Sequence, residues 1–276
     1  MRTVLITGAS TGIGRATTLR LDAAGWRVFA GVRKESDAES LRAAGSERIE
    51  PLPLDVTAAD QIAAAAERIA AEDGGGLDGL VNNAGVAIPG PLETLAMEDF
   101  RRQIEVNMTA HVAVTQALLP ALRSAHGRIV FISSIGGRVA LPLTGAYHAA
   151  KFGIEAVGDI FRQELRPWGI KVAIVEPGSI DTPIWERGER TADELATPER
   201  EELYGKVVER YRKVIRDTAE RGIPAEKVAE TIEHALTAGR PRARYLVGLE
   251  AKIGARLRQL LPTPLFDAIV RRQMNL

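Results

Sequence analysis

A chain of 276 residues with 45% hydrophobic content is long enough to bury a sizeable core as one α/β domain, with two small domains as the alternative its length leaves open. Its 36 basic and 36 acidic residues cancel, so no global field draws in nucleic acid or an anionic membrane, and a small-molecule partner is expected. Cysteine is absent, which excludes disulfides, thiolate nucleophiles and cysteine-based metal sites and fits a reducing compartment.

The chain opens MRTVLITG, whose apolar run is far shorter than a signal-peptide core or a membrane span, so a soluble, cytoplasmic protein is expected. Short β-branched runs then alternate with stretches of helical spacing, the βαβ pattern of a parallel sheet. The candidate strands are TVLIT (3–7), RVFAGV (27–32), RIEPLPL (48–54), GLVNN (79–83), RIVFIS (128–133), KVAIVE (171–176) and RYLVG (244–248). Several are too uniformly apolar to have a solvated face, so the sheet is expected to be covered on both sides. Helical stretches are expected near 12–24, 58–72, 97–124 and 146–166.

From about Ile184 to Gly239 no strand signal appears, and charged helical text fills much of the interval. Leu203, Val207, Tyr211, Val214 and Ile215 recur at helical spacing there, which predicts a flap over about 184–222 with an apolar stripe. Inserted after the sixth strand, it lies beyond a strand's carboxyl end, where open parallel sheets bind ligands. The apolar segment around Leu257 to Ile269 carries Arg256 and Arg258 at its start and is broken by Pro262 and Pro264. Packing on its own domain or on a partner chain is expected of it, with a membrane surface as the alternative.

T-G-A-S-T-G-I-G, residues 7–14, stands at the end of the first strand and before a helix. Gly8, Gly12 and Gly14 let the backbone turn tightly and approach a pyrophosphate, whose charge suits a helix N-terminus. The spacing is GxxxGxG, and its place after the first strand of a βαβ unit favours a dinucleotide over a plain loop. The second strand ends V-R-K, where such a fold reads the adenosine ribose. An acid there would accept from the 2′-hydroxyl of NAD; Arg33 and Lys34 instead suit a 2′-phosphate, so NADP(H) is favoured and NAD(H) is the alternative. A solvated surface pair, with Glu35 beside it, is the other reading.

Tyr147 and Lys151 lie one helical turn apart in GAYHAAKFG, and Ser134 ends a strand thirteen residues before the tyrosine. An ammonium about 4 Å from a phenol, at an effective dielectric of about 20, contributes about 4 kcal/mol, or about three pKa units. That would bring the phenol into a useful range, less what the lysine loses by desolvation. The four histidines, His111, His126, His148 and His234, have no ligand-like spacing, so no metal is expected. His148 points about 100° away from Tyr147 and is assigned to packing or the substrate rim.

TGASTGIG at 7–14, NNAG at 82–85, Asn107, Ser134, YHAAK at 147–151 and PG at 177–178 resemble the short-chain dehydrogenase/reductase family, in the same order and over nearly the whole chain. The resemblance implies a Rossmann-type doubly wound parallel sheet of about seven strands with helices on both faces, in one domain. It assigns Tyr147 as acid/base, Lys151 as activator, Ser134 as substrate orienter and Asn107 as a member of a proton relay through water, with bracing of backbone at a helix kink as a second role for Asn107. It implies cofactor contacts from Gly8, Ser10, Thr11, Gly12, Ile13 and Gly14, from Arg33 and Lys34, from Asp55 and Val56, and from Asn83, Ala84 and Gly85. Tyr147, Lys151, Pro177, Gly178, Ile180 and Thr182 complete the implied set. Asp55 would accept from the adenine amino group, or else cap the next helix, and Asn82 would tie strands together. The implied reaction is hydride transfer between a nicotinamide and a ketone or secondary alcohol. An epimerase or dehydratase of the same fold, and a dinucleotide-sensing protein without turnover, are the alternatives. A homodimer or homotetramer through helices near 103–124 and 150–166 is also implied.

The loop between Ser134 and Tyr147 offers Val139, Leu141, Pro142 and Leu143, and the flap begins with Ile180, Ile184 and Trp185. An apolar wall of this kind predicts a lipophilic substrate, with Ser134, Leu141, Tyr147, Ile184 and Trp185 lining its site.

Overall fold

The computed structural model describes residues 1–72, 74–182, 184, 197–219 and 222–274. In chain order the strands are β1 (Thr3–Ile6), β2 (Arg27–Val32), β3 (Ile49–Pro53), β4 (Gly79–Asn82), β5 (Arg128–Ile132), β6 (Lys171–Pro177), β7 (Ile180–Asp181), β8 (Ile223–Pro224) and β9 (Arg244–Val247). The helices are α1 (Gly12–Ala23), α2 (Glu35–Ala44), α3 (Ala59–Ala70), α4 (Met97–Ile104), α5 (Ala110–Ser124), α6 (Gly145–Glu164), α7 (Pro198–Ala219), α8 (Ala225–Thr237), α9 (Leu249–Leu260) and α10 (Thr263–Met274).

Seven strands form one parallel sheet in the order β3-β2-β1-β4-β5-β6-β9. Each expected strand is present, with ends that shift by a residue. Successive residues point to opposite faces, and both faces are buried. Val4 and Ile6 pack with Leu21 of α1, Leu41 of α2 and Val228 and Ile232 of α8. Leu5, Leu80 and Phe131 pack on the other face with Ile69 of α3, Leu118 of α5 and Ile154 of α6. This two-sided burial is why the strands read as unbroken apolar runs. Truncating the fully buried Leu80 to alanine would cost about 2–5 kcal/mol.

The sheet runs outward in two directions from β1, so a crevice opens above the carboxyl ends of β1 and β4. Several features depart from the sequence expectation, and α8, α9 and α10 lie outside the helical stretches expected from it. Helix α2 was not foreseen, because only Ala38 and Leu41 of its ten residues are buried. Strand β8 falls inside the interval read as strandless, and its two residues pair with β7. The helix expected over 97–124 is present but contains a π-helical turn at Glu105–Thr109, the kind of distortion that concentrates at functional sites.

Within the flap, α7 packs against α10: Tyr211, Val207, Val214 and Ile215 join Leu143, Val270 and Met274 in one cluster. Leu203 is exposed instead of joining the stripe. Arg200 fastens the start of α7 to the loop after β4 through Thr94 Oγ1 and its carbonyl at 3.0 and 2.7 Å. No described helix is long and apolar enough to cross a membrane.

Candidate active site

The crevice holds about 580 Å³ and is walled by the segments that follow β1, β2, β3, β4, β5 and β6. Gly8, Ser10, Thr11, Gly12 and Ile13 form its floor. Gly8 and Gly12 take φ of +65° and +53°, backbone that side chains rarely adopt. Gly14 is needed for a different reason. A Cβ there would lie 2.2 Å from the Gly8 carbonyl and 2.6 Å from Asn83 Nδ2, so it lets α1 pack under the turn and does not itself face the cleft. Asn83 donates from Nδ2 to the carbonyls of Thr7 and Gly8 at 2.9 and 3.0 Å, bracing the turn while its backbone, with Ala84 and Gly85, lines the cleft. Asn82 donates to Thr115 Oγ1 at 2.9 Å, tying β4 to α5 and not to a neighbouring strand.

At the far end Arg33, Asp55 and Val56 line the crevice, joined by Arg102 of α4, which the sequence reading did not single out. Lys34 does not line it; the residue caps the start of α2 and is exposed. Asp55 Oδ1 accepts from the Thr57 amide at 2.9 Å and its hydroxyl at 2.7 Å. It therefore closes the turn before α3, while α3's own N-cap is Ala58. Burial pulls the Asp55 pKa up, but the Thr57 bonds and the charges of Arg33 and Arg102 leave it below the usual carboxylate range.

Ser134 follows β5, and Tyr147 and Lys151 sit one turn apart at the start of α6; all three are buried and line the cleft. The Ser134 hydroxyl is hydrogen-bonded to the Tyr147 phenol and accepts the Gly136 amide at 3.0 Å. Lys151 Nζ donates to the Ile132 carbonyl at 2.8 Å and lies 5.7 Å from the Tyr147 ring centroid. Burial lowers the lysine to about 8, with the Glu155 charge opposing. Burial also raises the phenol, against the pull of Ser134. The expected lowering of the phenol by the ammonium is thus not met in the chain alone. Both groups are desolvated and the ammonium is committed to a carbonyl, so Tyr147 keeps its proton.

Asn107 sits in the π-helical turn, fully buried, where Oδ1 accepts the Val86 amide and Nδ2 donates to the Val86 carbonyl, both at 2.8 Å. Its side chain braces backbone at a helix distortion, the second of the two roles expected of it, and each amide atom keeps one further hydrogen-bonding position. One turn on, His111 Nε2 meets the Ala84 carbonyl at 2.8 Å. That histidine was missed, although its place four residues after Asn107 puts both on one helix face. Burial, followed by the Lys151 charge, holds its pKa down at about 3, so it is neutral and donates from Nε2. His148 bonds the Gly136 carbonyl through Nδ1 at 2.8 Å and Thr144 Oγ1 through Nε2 at 2.9 Å. It packs the Ser134 loop onto α6 and does not face the cleft.

Past β6, Pro177, Gly178, Ile180, Thr182 and Ile184 close the near end of the crevice. Leu141 does not line it, and neither do Val139, Pro142 and Leu143; Leu143 instead packs on the flap helix. The apolar wall beside Tyr147 comes from Val86, Ala87 and Ile88 together with Ile184. Trp185 lies outside the described residues. Among the described residues no group of three histidines, aspartates or glutamates is placed to hold a metal ion.

A family model described as short chain dehydrogenase matches residues 2–193. The chain is 40% identical over 277 residues to rat retinol dehydrogenase 7, covering 97% of this chain and 87% of that protein. It is 39% identical over 282 residues to human 17-beta-hydroxysteroid dehydrogenase type 6, covering 98% and 87%. A solved short chain dehydrogenase from Burkholderia cenocepacia, in complex with NADP, is 27% identical, with a TM-score of 0.74 over 97% of this chain and 98% of that one. With the sheet order, the glycine turn and the Ser134, Tyr147 and Lys151 cluster in one crevice, these matches place the chain in the short-chain dehydrogenase/reductase family of oxidoreductases.

Proposed function

We propose that the chain is an NADP(H)-dependent oxidoreductase that interconverts a lipophilic alcohol and its carbonyl compound, of the size that the names of its retinol and hydroxysteroid dehydrogenase relatives suggest. The observation that carries the reading is the hydrogen-bonded Ser134–Tyr147 pair above a buried Lys151, at the end of a crevice walled by Ile88 and Ile184.

The residues suit a dinucleotide. Gly12 lines the crevice at a φ of +53°, which side chains rarely adopt, and a Cβ there would crowd Thr182 Cγ2 at 3.0 Å. Arg33 makes no ion pair among the described residues, which leaves a guanidinium for a phosphate. Gly8 to Ile13 would hold the pyrophosphate, Arg33 a 2′-phosphate, Asp55 and Val56 the adenine side, and Lys151 with Pro177, Gly178, Ile180 and Thr182 the nicotinamide half. The bound nicotinamide would supply or take the hydride.

The protein's own part is proton handling. With its pKa raised by burial, Tyr147 holds a proton on Oη at neutral pH, ready for a carbonyl oxygen as negative charge develops there. The Gly136 amide occupies one side of Ser134 Oγ, which leaves the hydroxyl proton to orient that same oxygen. The positive charge of Lys151, one turn below, favours the phenolate left behind. In the oxidation direction the same atoms return the proton.

The test is NADPH and NADH oxidation, followed by nicotinamide absorbance, across carbonyl compounds from small and polar to retinoid- and steroid-sized. Efficiency rising with apolar size and with NADPH preferred supports the reading; a maximum on sugars or hydroxy acids contradicts it. Exposed Phe152 and Ile160 on α6 support assembly into a homodimer or homotetramer through that helix, which light scattering would detect.

A further inference from the structure

Helix α9 inverts the usual arrangement of a surface helix. Its buried residues are Ala251 and Ala255, whereas Leu249, Ile253, Leu257 and Leu260 are 72, 50, 40 and 76% exposed. At about 100° per residue these four fall within an arc of about 80°, opposite the alanines. Helix α10 adds Leu265 and Ile269, 57 and 46% exposed. Single exposed leucines are ordinary, but four along one arc of α9, followed by two more on the next helix, call for a partner.

The chain's zero net charge hides a local excess at the same place. Residues 240–272 carry eight basic and two acidic side chains. Arg244 is spent on Glu155, Asp159 and Glu176, and the acid Glu250 accepts from Ser179. Arg242, Lys252 and Arg256 make no ion pair among the described residues. They line, with Leu249 and Ile253, an open hollow of about 480 Å³. Lys252 and Arg256 thus flank the apolar arc on one side.

We propose that α9 and α10 are a docking surface for an anionic lipid bilayer, with the leucines among the acyl chains and Arg242, Lys252 and Arg256 on the headgroup phosphates. A second copy of the chain is the poorer occupant. A twofold contact would set this face on itself and bring its unpaired cations together. The surface adjoins the crevice: Ala251 lies against Gly178, 3.3 Å from where a Cβ would stand, and Gly254 lies against Ile135. Docking would therefore hold the crevice rim at the lipid surface, and the claim depends on no activity.

Co-sedimentation of the full chain with vesicles tests it, using phosphatidylcholine alone and an equal mixture of phosphatidylcholine and phosphatidylglycerol. Binding to the mixed vesicles is expected, at least tenfold weaker on phosphatidylcholine, and weakened at least tenfold by the double variant Leu249→Ser, Leu260→Ser and separately by Lys252→Glu, Arg256→Glu. The exposed positions leave circular dichroism unchanged in both variants. No binding to either vesicle, or binding indifferent to both variants, overturns the proposal. So does a wild-type oligomer in light scattering that the leucine variant dissociates, which would make the face a protein interface.

Discussion

Lys151 Nζ and the Ile132 carbonyl are joined at 2.8 Å in a fully buried setting, so the last residue of β5 holds the lysine of α6 beneath the tyrosine one turn before it. Replacing Lys151 by alanine is expected to lower kcat and weaken NADPH binding together, because one ammonium is assigned to both. Loss of only one of the two, in steady-state kinetics and fluorescence titration, would show that the roles are separate.

Arg33 reads the cofactor in this account. A charge-assisted phosphate contact is worth about 1.5–3 kcal/mol, so Arg33→Ala should raise KM for NADPH by about 10- to 150-fold and leave KM for NADH within about twofold. Equal effects on the two cofactors would remove the 2′-phosphate role.

The glycine turn makes a stability prediction. The Cβ of Gly14→Ala would meet the Gly8 carbonyl and Asn83 at 2.2 and 2.6 Å, backbone and a braced side chain that cannot step aside. Overpacking of about 1–3 kcal/mol corresponds to a fall in Tm of about 2–10 °C in a chain of this size. Gly239→Ala, where nothing lies within 4 Å, is the control and should leave Tm in place.

His111 sets part of the acid limit of stability. Its folded pKa of about 3 lies below the ordinary 6.5, so between those values the unfolded chain binds the extra proton and stability falls as pH drops. The loss approaches about 1.4 kcal/mol per pH unit below 6.5, or about 2 kcal/mol by pH 5. Urea unfolding at pH 7.5 and pH 5 should show that loss reduced by about this amount in His111→Gln. Parallel pH dependence in the two proteins would mean that the ring is not held neutral by the fold.

What was legible in the sequence was what leaves a local pattern. The seven sheet strands announce themselves because burial on both faces makes each a continuous apolar run, and the YHAAK and glycine motifs mark the crevice. Helix α2 was not legible because two buried residues make too sparse a stripe, and β8 because two residues make no period. Leu141 does not line the crevice, and the direction its loop faces is set at longer range. The loop's apolar residues could face either the cleft or the flap, and the α7–α10 cluster that recruits Leu143 involves residues far along the chain. Asn107 was read as relay and brace; the partner of the brace, the backbone of Val86, is brought opposite it only by the fold. The zero net charge concealed the local excess of basic residues over 240–272, since a sum carries no position.

The central claim is that the buried, protonated phenol of Tyr147 moves the proton in an alcohol–carbonyl interconversion. Tyr147→Phe keeps the ring and removes only the hydroxyl bonded to Ser134. The deciding measurement is the rate of NADPH oxidation with a steroid- or retinoid-sized carbonyl compound in this variant, with NADPH affinity titrated on the same preparation. The account predicts a rate lower by about 10²–10⁴-fold with NADPH affinity within about threefold of wild type. A rate within about threefold of wild type would contradict it.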